Sequence, residues 1–208
     1  SGNLLWLGGN GLVTWAEMRA SSGLAALLVA SMPIWGELIN TVIDRRLPSA
    51  KMIISILLGF AGVGVLSWPV LRTGNTADVL GVVALLLAPL FWAIGSIWFQ
   101  RRKPDLTVRV VSGWQMIFGA VGFLIVILVR GEGLPHPTPE AWAAWAYLLV
   151  FGSLLAYTCF VYALKLLPTT VVMTYAYVNP VIAVLLGWVI LSEPVTGYTV
   201  VGMALIVG

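Results

Sequence analysis

The residues of this chain with chemistry to offer are polar and aromatic side chains set inside long apolar runs. Asn10 and Thr14 stand four apart, and so do Trp92 and Ser96, Ser153 and Tyr157, and Tyr175 and Asn179. Four-residue spacing puts both members of a pair on one face of a helix. Gln115 adds a single amide in a further run. Amides, hydroxyls and rings spread over several segments suit the recognition of a small organic molecule. They do not suit its conversion, because a buried catalyst needs paired acids, an activated nucleophile or metal ligands. No His or Asp falls inside any apolar run, so neither an enzyme nor a metal or cofactor site is expected. Each polar residue alone also reads as an interhelical hydrogen bond, worth about 0.6 kcal/mol. The set of four pairs is what points to a common cavity.

The stretch "LVASMPIWGELIN", residues 28–40, adds a proline and a charge. Pro33 cannot donate a backbone N–H, so it frees the carbonyl of Val29 one turn earlier. Glu37 is a charge where charge is expensive. Buried in a cavity it would have a raised pKa and could carry a proton, which suits proton-coupled exchange. Near the interface it would instead snorkel or pair with Arg45 or Arg46. The single cysteine, Cys159, reads as a small hydrophobe, and His136 reads as a solvated loop residue in "GLPHPTPE".

The elements that must position these residues follow from composition. Of 208 residues 60% are hydrophobic and 9% charged, against about 25% charged in soluble domains, and the mean hydropathy is +1.01. The chain is therefore an integral membrane protein. Its net charge of +3 is scattered over loops and is no nucleic-acid footprint. The charges delimit uncharged stretches near the ~20 residues that cross a bilayer. Eight helices are predicted: 2–16, 22–43, 52–71, 79–100, 110–129, 141–164, 169–191 and 195–208. The runs are continuously apolar, which argues against a β-barrel. Trp142 and Trp145 are candidates for an interfacial belt. The run "GFAGVG", 59–64, allows close helix approach.

Alternate loops carry unequal charge. One side has Arg45, Arg46, Lys51, Arg101, Arg102, Lys103, Arg109 and Lys165. The other has Arg19, Arg72 and Arg130. The positive-inside rule makes the first side cytoplasmic, so the visible N-terminus starts there and the Pro-rich loop faces outward. No signal peptide is visible.

Residues 16–43 echo residues 163–190 at a constant offset of 147, with Ala16 over Ala163 and Pro33 over Pro180. The offset carries 55–61 onto 202–208. Matching helices lie five apart, an odd number, so the two copies cross in opposite directions. Inverted repeats build many secondary transporters, with substrate at the midplane between halves. Pro33 and Pro180, each near the middle of its helix, free carbonyls that only protein or a wet cavity can satisfy. Five helices per half predicts ten, and the two unseen ones would precede the first.

Several stretches resemble a known family. "GGNGLVTWAE" with "SSGLAALLVASMP", "LFWAIGSIWFQRR", and "YVNPVIAVLLGWVILSEP" with its Leu191-x-Glu193 ending are similar to segments of the EamA-type drug/metabolite transporter superfamily. The likeness runs from the family's third helix into its tenth. It implies two domains, 1–72 as a first repeat lacking two helices and 79–208 as a second repeat with its last helix cut short. It also implies cytoplasmic termini, a bacterial inner (plasma) membrane location, and packing of the third and eighth visible helices against each other. Arg46 stands where the second repeat has Glu193, so the acidic motif is one-sided. The expected function is export or exchange of small organic metabolites, amino acids and aromatic ones among them, by alternating access. The alternative is a passive pore or lipid scramblase of the same fold. The expected substrate-binding set is Asn10, Thr14, Trp92, Ser96, Gln115, Tyr157, Tyr175 and Asn179. Pro33 and Pro180 are the kinks and Glu37 is the coupling candidate. The expected partners are a small-molecule substrate and the bilayer, with the protein a monomer or homodimer.

Overall fold

A computed structural model describes all residues except 21, 47–49, 74, 75, 103, 134, 193 and 208. Lys103 and Glu193 of the sequence argument lie outside the described residues. The described residues form helices joined by loops, with no strand among them.

Among the described residues eight helical rods follow the charge-delimited runs. α1 is a π-helical stretch, Leu4–Gly11, continued by Leu12–Glu17. α2 comes in two pieces, Ser22–Val29 and Met32–Ile43. α3 is Ala50–Thr73 and α4 is Thr76–Arg102. α5 is Val108–Arg130, ended by Gly131 in the left-handed conformation at φ 63°, where the absence of a Cβ removes the steric cost. α6 runs through Pro139–Tyr147, a π stretch Leu148–Ala156, and Tyr157–Leu166. Its start is capped by Thr138, whose hydroxyl accepts from the Ala141 N–H at 3.3 Å. α7 has three pieces, Thr169–Met173, a 3-10 turn Thr174–Tyr177, and Val178–Leu191. α8 is Gly197–Val207. Among the described residues five helices are long and apolar enough to cross a membrane, within 24–43, 79–102, 108–130, 139–166 and 169–190.

α2 and α7 differ from the continuous helices expected. Pro33 is not inside a helix but at the start of one, just after a break at Ala30 and Ser31. The Ser31 hydroxyl donates to the Leu28 carbonyl at 2.7 Å, which supplies a donor where the chain turns. Pro180 likewise sits two residues into Val178–Leu191, directly after the 3-10 turn. A proline cannot extend the ladder that precedes it, so both helices restart at their prolines.

α4 is the pivot of the bundle. It packs on α1, on both pieces of α2, and on α6 and α7. α3 packs along α8. The buried cluster between α1, α2 and α4 holds Ala16, Leu27, Leu28 and Leu85, all at 0% exposure. A second cluster joins Leu5, Tyr157, Val161 and Leu164. A third joins Met32, Ala93, Met173 and Ala176. The opposite surfaces are apolar too. Leu124, Ile125, Leu128 and Val129 on α5, and Leu148, Phe151, Leu154 and Leu155 on α6, are exposed. A coat of large aliphatics this extensive has hydrocarbon, not water, as its solvent.

Glycines set the approach of α1. A Cβ on Gly9 would lie 2.5 Å from Trp92 Cε3, and one on Gly119 would lie 2.5 Å from Trp6 Cβ. The indoles therefore lie against bare backbone.

Candidate functional site

A cavity of about 270 Å³ lies between α1, α2, α4 and α7. α1 contributes Gly9, Asn10, Val13 and Glu17. α2 contributes Ala25, Ala26, Val29 and Met32. Ala88, Pro89 and Trp92 come from the middle of α4, and Tyr175 and Asn179 from the broken centre of α7. Both helix breaks border the space, since Val29 and Met32 flank the one in α2 and Tyr175 lies within the one in α7. The walls are mainly apolar, with a few converging polar groups, as in most small-molecule sites.

Four of the eight residues singled out in the sequence meet here: Asn10, Trp92, Tyr175 and Asn179. Thr14 does not line the cavity and is exposed. The lining face of α1 is centred on residues 9, 10, 13 and 17, so Thr14 falls off its edge. Ser96 is fully buried, its hydroxyl donating back to the Trp92 carbonyl at 2.8 Å. Gln115 and Tyr157 are buried partners. The Tyr157 hydroxyl donates to Gln115 Oε1 at 2.9 Å, and Gln115 Nε2 donates to the Ser1 hydroxyl at 3.0 Å. Their polar atoms are spent on each other and on Ser1. Ser153 is half-buried on α6 and also lies off the cavity. Glu37 is exposed on Met32–Ile43 and is not brought into the lining.

Aromatic rings connect the cavity to the closed half of the bundle. Tyr175 meets Phe160 edge-on with centroids 5.8 Å apart. Phe160 lies 5.5 Å from Trp92 and 6.1 Å from Tyr157. Tyr157 in turn lies 4.8 Å from Trp6. These separations suit offset or edge-to-face pairing. The rings form a chain of contacts from Tyr175 at the cavity to Trp6 on the first turns of α1. The indole N–H of Trp92 is buried without a hydrogen-bond partner among the described residues.

The same end is tied by polar contacts the sequence reading did not single out. Gln100 Nε2 donates to the Leu164 carbonyl at 3.2 Å and to the Leu167 carbonyl at 2.6 Å. Its Oε1 accepts from the Thr169 N–H at 3.2 Å and from the Thr169 hydroxyl. One side chain of α4 thus satisfies the last carbonyls of α6 and the first N–H of α7, groups that helix ends leave orphaned. Beside it Arg101 pairs with Asp44 at 2.7 Å and donates to Asn40 at 3.0 Å. Lys165 Nζ donates to the Leu106 carbonyl. The cavity runs from the helix centres toward the other end, where Glu17 and Ala25 lie.

Glu17 was also missed. In the sequence it marks the end of an apolar run, and its place on the lining face shows only once α2, α4 and α7 are packed against α1.

The sequence pattern of the EamA-like transporter family matches residues 79–208. The chain is 32% identical over 189 residues to the uncharacterized inner membrane transporter YedA of Escherichia coli, covering 89% of this chain and 60% of that one. It is 26% identical over 203 residues to the uncharacterized transporter sll0355 of Synechocystis, covering 89% and 61%. Protein PecM of Dickeya dadantii is 26% identical over 198 residues, covering 94% and 65%. The chain thus spans about 60% of the length of the first of these relatives. A crystal structure superposes with a TM-score of 0.68 at 24% identity, covering 99% of this chain and 70% of that one. At that identity the likeness is one of fold.

Proposed function

The chain belongs to the EamA-like transporter family and is a multi-pass membrane protein, and from that premise we propose that it works as a secondary transporter of small organic metabolites. Amino acids, aromatic ones among them, are its substrate class. The observation that carries this reading is the cavity into which three helices bring Asn10, Trp92, Tyr175 and Asn179. The amide N–H groups of Asn10 and Asn179 suit a carboxylate, while Trp92, Tyr175, Pro89 and Met32 suit a ring.

An inverted repeat supports the reading. α2 and α7, related by the offset of 147, lie side by side and break at corresponding points. The π stretches of α1 and α6 overlap under the same offset, residues 4–9 falling on 151–156. With the more basic side cytoplasmic, the cavity opens outward and the aromatic rings, Gln100 and Arg101 close the inner side. Alternating access then requires that inner closure to part while Glu17 and Ala25 approach α7. The location is the bacterial inner membrane with cytoplasmic termini.

Ligand-dependent thermal stabilisation of the full-length protein tests the site, since a ligand that binds the native state raises the melting temperature by mass action. A rise with aromatic amino acids that is lost in Asn179→Ala is expected. Saturable, stereoselective uptake into proteoliposomes separates a carrier from a passive pore or scramblase. Non-saturable uptake, with no shift for any amino acid, would overturn the proposal.

A further inference from the structure

The cavity contains one group that neither the amide pairs nor the rings explain. Glu17 is the only charged side chain among the described lining residues. Among the described residues no hydrogen bond or ion pair holds its carboxylate. The nearest cation in sequence is committed elsewhere: the Arg19 guanidinium lies 4.7 Å over the Trp15 ring and reaches the Trp15 carbonyl at 3.5 Å. Glu17 therefore faces Val13, Ala25 and Ala26 across an apolar mouth, with no countercharge supplied from the described lining. Its side chain is exposed at that mouth, within reach of a cationic group that enters the cavity.

The geometry of the cavity is polarised to match. Glu17 lies eight residues beyond Gly9, more than two helical turns, and so about 12 Å along the helix from it. Gly9 in turn lies against Trp92. The acceptor group is thus at one end of the space, and the amide donors Asn10 and Asn179 are toward the other. Resting on the cavity reading above, we propose that Glu17 recognises the ammonium group of the ligand, so that the site selects molecules bearing a cationic amine and discriminates against carboxylates that lack one. Glu17 is then a specificity-determining residue, and the donors deeper in the cavity hold the carboxylate when the ligand has one.

Three probes sharing one ring system separate the two ends: tryptophan, tryptamine with the amine alone, and indole-3-propionate with the carboxylate alone. Their affinities for the full-length protein are measured by titration calorimetry on wild type, Glu17→Gln, Glu17→Asp and Asn179→Ala. Wild type is expected to bind tryptophan and tryptamine well and indole-3-propionate weakly. Glu17→Gln should weaken tryptamine by about 10- to 100-fold, the range for a hydrogen bond to a charged group. It should leave indole-3-propionate unchanged or tighter, because a repelling charge is gone. Glu17→Asp keeps the charge and should keep the amine preference. Equal losses for tryptamine and indole-3-propionate in Glu17→Gln would mean a merely structural role and overturn the proposal. Undiminished tryptamine binding there, with losses in Asn179→Ala, would overturn it while leaving the cavity reading intact. No binding of any probe to wild type would remove the cavity reading and this inference together.

Discussion

Gln100→Ala should shift the protein away from the closed arrangement of its basic end. Gln100 joins three helices there, with donations to the Leu164 and Leu167 carbonyls at the end of α6 and two acceptances from Thr169. Each intramolecular hydrogen bond is worth about 0.5–1.5 kcal/mol net. Gln100 is only half-buried, so water can reach some of the groups that alanine abandons, and the four bonds together are placed at ~2 kcal/mol, the lower end of their sum. If the closure exists in one of two conformers, this displaces their ratio by roughly 30-fold, at 1.4 kcal/mol per factor of ten. Spin labels at Val42 and Leu166, both exposed at that end, read the change as a distance distribution in proteoliposomes. The variant should populate a longer distance that wild type lacks, and amide exchange over residues 167–173 should speed up. Unchanged distances and unchanged exchange would show that Gln100 does not hold this end together. Gln100 does not line the cavity, so any loss of ligand affinity should be no larger than the shift in conformer population.

Gly9→Ala forces a Cβ to 2.5 Å from the Trp92 ring and should lower stability by about 1–3 kcal/mol, as overpacking does. A melting curve and the loss of ligand stabilisation report it, and an unchanged melting temperature would mean that the Trp92 ring is not seated there. Tyr157→Phe leaves the buried Gln115 amide without the hydroxyl it now meets at 2.9 Å. It should cost roughly 1–3 kcal/mol without changing which ligands bind, and a changed ligand order would place Tyr157 in the site after all. Glu37→Gln should leave ligand-induced stabilisation unaltered, because Glu37 lies off the cavity. In transport assays it should leave any pH dependence unchanged, because the burial that would let Glu37 carry a proton is absent, and a loss of pH dependence in the variant would assign Glu37 the coupling role after all.

The rods were legible because charge is costly in hydrocarbon. Arg72, Arg101, Arg130 and Lys165 each stand in or beside the last turn of a helix, so the gaps between charges outline the helices. The same rule hid Glu17, since a charge used as a boundary marker is not searched for a role. Periodicity found Asn10, Trp92, Tyr175 and Asn179, yet it could not separate them from Ser96, Gln115 and Tyr157. Whether a polar atom faces a cavity or a neighbouring helix depends on what packs against it, and no local spacing carries that. Pro33 and Pro180 announced a disturbance of their helices. The form it took, a break rather than a bend, came from Ser31 and the 3-10 turn.

The π stretch of α6 bears on how the protein meets its bilayer. The span that contains it runs 28 residues, Pro139–Leu166. Wound throughout as an α-helix at 1.5 Å per residue it would be about 42 Å long, well past the ~30 Å of hydrocarbon. The wider i→i+5 winding of Leu148–Ala156 puts more residues into each ångström of height and takes up part of that excess. A helix too long for its membrane ordinarily tilts or kinks; here part of the mismatch is absorbed in the winding. Bilayer thickness therefore bears directly on the segment that carries Tyr157 and Phe160, and a thicker membrane would favour unwinding it toward the longer α form.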